Sequence, residues 1–495
     1  MVDIKDLSME FGNRTLFCDV TFSINPGERI GLIGRNGAGK STFFKLLLKE
    51  LEPSDGEIRI PDYYTIGHLS QHFHFTHATV TEEVCSVLTG DREDEAWKGD
   101  MILMGLGFSY EQMDQNPNSL SGGFQVKVNL AKMLLLESNL LLLDEPTNYL
   151  DIYSIRWLSE FLRKWEGELI LVTHDRAFLE SVITHTLIIH RGNFRKVPGK
   201  PAKIKEQISQ EEEIFEKHRI AAEKERKETE EWIRRFGAKA SMASRAKSMQ
   251  RRLDRESVMS KLAAVPVLDF KFASAPYDTK LKPIEIENLT FGYYPDKIII
   301  NDFSFRMEKG DKICIIGKNG NGKSTLLQLM AGFLKPNSGS VVPNEKVISG
   351  YFGQTNVERL NPKNKIWEEV QEANPSADYA TVRRICAYMM FAGELGDKRI
   401  SVLSGGEKSR VLLGKILLSN VNMLFLDEPT NHFDIESADA LMDAIKEFDG
   451  SLVMVTHDER FLHEIANKLI VFDGGKIFAF HGTYEKFLRE VGWKE

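Results

Sequence analysis

The stretch GRNGAGKS at residues 34–41 returns as GKNGNGKS at 317–324, and the fold is decided by how these two segments are read. The first follows a short apolar run, ERIGLIG, and opens STFFKLLLKEL, a run that suits a helix. Strand, glycine-rich loop and helix in that order make a phosphate-binding loop. The glycines let backbone N–H groups close on phosphate oxygens, and the helix N-terminus adds a favourable dipole. The candidate phosphate-binding residues are Gly34, Asn36, Gly37, Gly39, Lys40, Ser41 and Thr42, then Gly317, Asn319, Gly320, Gly322, Lys323, Ser324 and Thr325. Lys40 and Lys323 would reach the β- and γ-phosphates, and Ser41 and Ser324 would hold Mg²⁺.

The repetition does not stop at the loops. LSGG at 120–123 returns at 403–406, DEPTNYLD at 144–151 returns as DEPTNHFD at 427–434, and THD at 173–175 returns at 456–458. From Lys40 to Lys323, Ser121 to Ser404, Glu145 to Glu428 and His174 to His457 the shift is 283 every time, so one domain is used twice. Carried to the chain end, that shift assigns 1–205 to the first copy, 283–495 to the second and 206–282 to neither. The insert is rich in Glu, Lys, Arg, Ala and Met, and has no proline until Pro266. Met242, Ala246, Met249 and Leu253 give one thin apolar seam, and Gly237 offers a break after Phe236. These features predict two helices packed as an antiparallel hairpin. The expected fold class is α/β, two tandem P-loop nucleotide-binding domains joined by an α-helical hairpin.

Chemistry beyond phosphate binding is carried by residues after apolar runs. LLLLDE (140–145) and MLFLDE (423–428) read as buried parallel strands that end in two carboxylates. Asp144 and Asp427 are placed to hold Mg²⁺ through water, and Glu145 and Glu428 to orient the attacking water or accept its proton. A capped turn accounts for Pro146 and Thr147 but poorly for an Asp-Glu pair closing an apolar strand. His174 and His457 follow ELILVT and SLVMVT and are candidates for a γ-phosphate contact. Gln71 and Gln354, each 31 residues past the loop lysine, are candidates to coordinate Mg²⁺ or the lytic water.

As a set, the P-loop, glutamine loop, LSGG, Asp-Glu strand, Asp151/Asp434 loop and histidine resemble the ATP-binding cassette ATPases over about four-fifths of the chain. The resemblance implies hydrolysis of ATP to ADP and phosphate with Mg²⁺, at two sites closed head to tail. Lys40 and Glu145 would then meet Ser404, Gly405 and Gly406, while Lys323 and Glu428 would meet Ser121, Gly122 and Gly123. Phe11 and Tyr293 are candidates to stack on adenine, although ordinary strand packing explains them nearly as well.

Composition bounds the setting. A chain of 495 residues with 42% hydrophobic residues and a formal net charge of -8 reads as a soluble globular protein. Its apolar runs end well short of the roughly 20 residues of a membrane span, and MVDIKDLSMEF has no secretory pattern. Four scattered cysteines without a CxxC pair suit a reducing cytoplasm and no zinc site. A cytoplasmic location is expected, without membrane or DNA as partner.

The insert carries the remaining signal. Residues 206–231 hold ten Glu against five Lys or Arg, whereas 232–255 hold eight Lys or Arg against Asp254 alone. A solvated helical face is the ordinary meaning of a charge run. Between two cassettes, however, an acidic stem with a basic bend resembles the ABC-F group of ribosome-associated ATPases. There the inter-cassette hairpin enters the tRNA exit site, and its tip approaches the P-site tRNA and the peptidyl-transferase centre. The resemblance implies a monomer that modulates translation, with rRNA and tRNA of the ribosome as partners. It points to Arg234, Arg235, Lys239, Arg245, Lys247, Arg251 and Arg252 as RNA contacts. Protection against ribosome-targeting antibiotics is a variant of this reading, against which a rather short hairpin argues. Gln71 to Ser121 spans 50 residues, as does Gln354 to Ser404, so an extra arm in the first cassette is not expected. A basic C-terminal coiled coil is not expected either, with Glu495 soon after the second cassette. The first LSGG is followed by Phe124 and Gln125, the second by Glu407 and Lys408, but Ser-Gly-Gly is intact in both, so two competent sites are expected, with room for a difference in rate. The competing reading is the tandem-cassette ATPase subunit of a sugar-type importer, which has no need of a charged helical insert.

Overall fold

A computed structural model describes the chain apart from Asn13, Asn36, 70–74, Tyr149, 237–246, 249, 252–267, 269, 273–281, 295–296, 358, 432 and 493–495. It divides into two compact units: Met1–Pro198 with Val267–Glu495, and Gly199–Pro266.

The larger unit repeats one architecture. In the first copy a six-stranded sheet runs in the order Ile66–His68, Leu140–Asp144, Glu168–Val172, Arg29–Ile33, His185–His190 and Asn193–Pro198. Neighbours are parallel except for the last pair. Leu140–Leu143 and Glu168–Val172 are buried at every position, as expected of strands covered on both faces. An antiparallel sheet in the order Arg14–Ile24, Val2–Phe11 and Asp55–Arg59 packs its buried alternate positions (Val2, Ile4, Leu7, Met9) into the same core as Leu140 and Ile170. The second copy has the same strand orders. The fold is thus two tandem cassettes of mixed α/β sheets with a helical insertion between them.

This topology assembles the motifs. Leu140–Asp144, Glu168–Val172 and Arg29–Ile33 are adjacent and parallel, so the loops leaving their C-terminal ends share one rim. Those three loops carry the Asp-Glu pair, the histidine and the P-loop.

Part of the stretch that the repeat arithmetic leaves to the insert packs with the second cassette. Leu268, Phe270 and Phe272 are buried in one cluster with Val421, Ala444 and Phe448. The Phe272 ring lies 5.7 Å from that of Phe448, and Lys271 Nζ pairs with Glu447 at 2.7 Å. Alternation of apolar residues supplies the cause: an extended segment with period two has one edge that gains by burial.

In the smaller unit, Pro201–Phe236 is one helix of 36 residues, about 54 Å long at 1.5 Å per residue. It is polar almost throughout, and its surface is laced by pairs at helical spacing: Arg219 with Glu216 and Glu223, Lys227 with Glu223, Arg226 with Glu230. Such pairs sustain a helix that has little apolar face of its own. The expected bend at Gly237 and the seam Met242, Ala246, Met249 and Leu253 lie outside the described residues; Lys247, Ser248, Gln250 and Arg251 are helical. Among the described residues no helix is long and apolar enough to cross a membrane.

Removing the Phe272 ring by Phe272→Ala should destabilise the second cassette by about 3–5 kcal/mol. Tyr110→Ala, at a side chain that is 70% exposed, should stay within about 0.5 kcal/mol. Chemical denaturation of the full chain distinguishes the two.

Candidate functional site: a pair of phosphate-binding loops

Each P-loop turns through glycines with positive φ. Gly39 (φ 103°) and Gly322 (φ 96°) precede the helices Lys40–Leu47 and Lys323–Met330. A Cβ on Gly39 would come 2.6 Å from the Phe17 ring, and one on Gly322 would come 2.3 Å from Ile299 Cγ2. Both conformation and space therefore demand glycine there.

The two loop lysines turn inward. Lys40 Nζ donates to Gly34 O at 2.7 Å, and Lys323 Nζ donates to Gly317 O, Lys318 O and Asn319 Oδ1 at 2.9–3.2 Å. Burial lowers the pKa of both, opposed by the carboxylates around them. Opposite Lys323, Ser324 Oγ donates to Asp427 Oδ1 at 2.9 Å. Burial raises Asp144 and Asp427 above the usual carboxylate range, against the pull of the lysines and hydroxyls. A serine hydroxyl beside a carboxylate, with a lysine close by, is the oxygen-rich donor set that Mg²⁺ and a phosphate together require.

Glu145 and Glu428 are held in a conformation they do not prefer. Their φ values are 50° and 45°, and each N–H continues the sheet by donating to Val172 O (2.8 Å) or Val455 O (2.9 Å). His174 N donates to Glu145 Oε2 at 3.2 Å. The imidazole Nε2 of His174 and of His457 lies 3.2 Å from the Oε1 of its glutamate, but off the line of a hydrogen bond. Oε1 of Glu145 and of Glu428 is consequently buried without a hydrogen-bond donor among the described residues. Burial first, with the neighbouring aspartate, pushes both carboxyls up to about 8, so they are largely neutral at pH 7. Burial, with Lys323 beside it, lowers His457 well below the usual imidazole range. The His457–Glu428 contact is therefore one between neutral groups, not an ion pair.

Nine of the expected first-copy residues (Phe11, Gly37, Gly39, Lys40, Ser41, Thr42, Asp144, Glu145 and His174) line a single cavity of about 510 Å³. In the second copy, His457 Nε2 reaches Asn319 Oδ1 at 3.2 Å, and Tyr293 OH meets Thr325 Oγ1 at 3.3 Å. Phe11 and Tyr293 are 51% and 55% exposed, and the Tyr293 ring meets that of Phe291 edge-on at 5.1 Å. Asn36 and Gln71 lie outside the described residues. Gln354 opens the short helix Gln354–Val357, and its side chain lies outside them too. Ser121 and Ser404 are N-caps, with Gly122, Gly123, Gly405 and Gly406 in the first turns of Gly122–Leu136 and Gly405–Leu418. The Ser404 hydroxyl takes Glu407 N in a capping box, whereas Ser121 makes no side-chain cap bond. Arg234, Arg235, Lys247 and Arg251 are exposed; Lys239, Arg245 and Arg252 lie outside the described residues.

Contacts between the cassettes come from the Asp151/Asp434 loops together with Arg35, Lys127, Arg156, Glu436 and Glu459, which the motifs alone do not single out as partners. Asp151 caps the helix Ile152–Arg163 through Oδ1 and accepts Asn319 N of the opposite P-loop through Oδ2, at 3.1 Å. Arg35 Nε stands 3.4 Å from Glu436, and the charge of Asp434 acts on Lys40. Arg156 donates to Glu459 (2.7 Å) and to Tyr484 OH (3.2 Å). Lys127, on the helix capped by Ser121, is buried with Nζ on Leu106 O at 2.9 Å, and its charge is felt at Lys323 and His457. The first cassette thus reaches the P-loop of the second, and the second that of the first.

Comparison with known proteins adds family and fold. Residues 17–148 and 300–431 both match the ABC transporter family, and residues 187–270 match a second family of the same description. The chain is 32% identical to the probable ATP-binding protein YbiT of Escherichia coli O157:H7 over 534 residues, covering 99% of this chain and 100% of that one. It is 31% identical to ABC transporter F family member 5 of Arabidopsis thaliana, covering 99% of this chain and 77% of that one. Among solved structures it resembles RNase-L Inhibitor (TM-score 0.67, 18% identity, 99% and 93% of the two chains). It also resembles the archaeal ribosome recycling factor aABCE1, solved with the ribosomal stalk protein aP1 (TM-score 0.66, 19% identity, 98% and 92%).

The raised carboxyls have a consequence for stability. Glu145 and Glu428 have a folded pKa of about 8 against an ordinary value of 4.5, so the folded state binds their protons more tightly than the unfolded state does. Their favourable contribution is complete below pH 4.5 and is lost as pH rises through about 8. The unfolding midpoint of nucleotide-free protein should fall across that window. Glu145→Gln/Glu428→Gln should flatten part of the slope, leaving the part due to Asp175 and Asp458, which are raised by burial as well.

Proposed function

The chain belongs to the F family of ATP-binding cassette proteins, and from that premise we propose that it is a cytoplasmic ATPase that binds the ribosome in its ATP-loaded form and modulates translation. The observation that carries the ATPase reading is the buried Oε1 of Glu145 and of Glu428, without a hydrogen-bond donor among the described residues, on the rim shared with a P-loop lysine and an aspartate. A water held there has its acceptor ready.

In this reading Lys40 and Lys323 leave their loop carbonyls for the β- and γ-phosphates. Phe11 and Tyr293 stack on adenine. Ser41, Asp144 and Gln71 would hold one Mg²⁺, and Ser324, Asp427 and Gln354 the other, an ion that would supply positive charge against the phosphates. Ser404–Gly406 and Ser121–Gly123 offer the N–H groups of a helix N-terminus to the γ-phosphate of the opposite cassette. Glu145 or Glu428 orients water for attack on the γ-phosphorus. The bond to the bridging oxygen breaks, ADP and phosphate leave, and the proton passes to the glutamate. His174 and His457 contact the γ-phosphate, His457 as a neutral ring.

The ribosome reading rests on family membership and on the charge of the insert. The start of the insert is acidic, whereas Arg234 and Arg235 at the end of Pro201–Phe236, with Lys239, Arg245, Lys247, Arg251 and Arg252 after it, make the following stretch basic, a charge that suits RNA phosphate. Ribosome-bound archaeal ABCE1, with Pelota, shares the tandem-cassette fold of this chain (TM-score 0.64, 19% identity). Insertion of the hairpin into the tRNA exit site, contact with tRNA, and protection from antibiotics are the finer forms of the proposal.

Two measurements test it. ATP hydrolysis should rise with pH towards about 8 as the two carboxyls ionise, and Glu145→Gln/Glu428→Gln should lower it by about 10²–10⁴-fold. The same double variant should co-sediment with ribosomes in ATP and not in ADP, and changing Arg234, Arg235, Lys247 and Arg251 to Glu should abolish binding. A variant that binds ATP yet finds no ribosome in either nucleotide would exclude the translation reading and turn attention to membrane fractions.

A further inference from the structure

The two nucleotide sites differ at the residue that would face the base. The strands Val2–Phe11 and Ile284–Phe291 match at a shift of 282, with Ile4 against Ile286 and Leu7 against Leu289. The same shift sets Phe11 against Tyr293, two residues past the second strand. One position is thus filled by two rings, and only the second carries a hydroxyl. That hydroxyl stands 3.3 Å from Thr325 Oγ1. Thr325 follows Lys323 and Ser324 in the first turn of Lys323–Met330 and is buried. The Tyr293 ring also meets Phe291 edge-on at 5.1 Å, a favoured geometry for two rings. In the first copy Met9 stands in place of Phe291, and Phe11 has no hydroxyl to offer Thr42.

Two contacts therefore fix the second ring, one with Phe291 and one with the P-loop helix. More than half of Tyr293 stays exposed all the same, which leaves surface for a flat ligand. The bond to Thr325 need not be surrendered when a phosphate arrives. A threonine hydroxyl accepts through its lone pairs and donates its own proton. With Tyr293 as donor, the Thr325 O–H remains available to a phosphate oxygen. A ring already fixed loses less freedom on binding than one that the ligand must order. Phe and Tyr offer much the same ring face to a base, so the hydroxyl is what separates the two sites here.

We infer that the Tyr293 hydroxyl, acting through Thr325, is a positioning group that holds a base platform ready in the second site alone. The second site thereby gains an affinity for ATP that the first lacks. Tyr293 is then more than a stacking ring, because it ties recognition of the base to the loop that grips the phosphates. The first site orders Phe11 only as the nucleotide arrives. This role rests on the adenine contact proposed for Tyr293, and it owes nothing to hydrolysis or to RNA.

Isothermal titration calorimetry of the full chain tests it, with Mg²⁺ present and either ATP or tripolyphosphate as titrant. Lys40→Ala leaves the Lys323 site as the one that binds, and Glu145→Gln/Glu428→Gln prevents turnover. In that background Tyr293→Phe should weaken ATP binding about fivefold, the worth of one neutral hydrogen bond. Tripolyphosphate, which has no base to stack, should bind as before. An unchanged unfolding midpoint would establish that the variant is folded. ATP binding that is unchanged, or tightened as by removal of a competing bond, would overturn the inference. Equal weakening of both ligands would overturn it too, since the hydroxyl would then serve the loop and not the ring. Tyr293→Ala keeps the two levels apart. If it weakens ATP binding and Tyr293→Phe does not, stacking stands and the hydroxyl has no role; if neither does, the adenine contact falls as well.

Discussion

The larger unit turns on one carboxylate. Asp151 spends one oxygen on the first backbone turn of its own helix and the other on the backbone N–H of Asn319 in the opposite cassette. It is 4% exposed, and although burial pushes its pKa up, Lys127 and the N–H groups it accepts outweigh that and keep it ionised. A buried charge satisfied only by partners from two bodies ties the state of one to the state of the other. Loss of either partner leaves a carboxylate in a poorly solvated place, at a penalty of several kcal/mol. The P-loop of the second cassette is therefore shaped partly by the first, and Lys318 of the same loop lies over the Tyr153 ring across the seam.

The seam is not symmetric in detail. Ser404 has its hydroxyl committed to Glu407 N, whereas Ser121, followed by Phe124 and Gln125, has no such commitment. A ligand arriving at Ser404 must compete with a formed cap, worth about 1 kcal/mol, and one arriving at Ser121 need not. Lys127 adds positive charge near the Lys323 loop, and its counterpart at the repeat shift is Arg410, lowered by burial despite Glu407 and Asp434. The two nucleotide sites are thus built from one plan and tuned differently.

Much of this could be read from residue order alone. Glycine spacing, apolar strands ending in carboxylates and a constant shift between repeats are local signals, and they led to the two sheets and to the lysines, aspartates and glutamates at their rims. What escaped is non-local. Arg156 and Glu459 are separated by 303 positions, and neither carries a pattern that marks it as half of a pair. Leu268, Phe270 and Phe272 read as part of a charged insert because three alternating apolar residues are too short a run to outweigh their surroundings. The protonation of Glu145 and Glu428 was equally hidden, since it follows from burial, which the two letters Asp-Glu do not record.

The conformation of those two glutamates has a consequence for how such a chain can change over time. Each is held at positive φ, a region where Asn, Asp or Gly sits with less strain, and each has one buried oxygen that finds no donor among the described residues. Backbone and solvation both resist the residue that the chemistry wants. A substitution that relaxes either would be tolerated, even favoured, by folding. Selection for a stable fold cannot preserve these positions; only continued demand for turnover can. A duplicated copy released from that demand would therefore be expected to lose its glutamates early, while its sheets, caps and seam persist as a sound but idle scaffold.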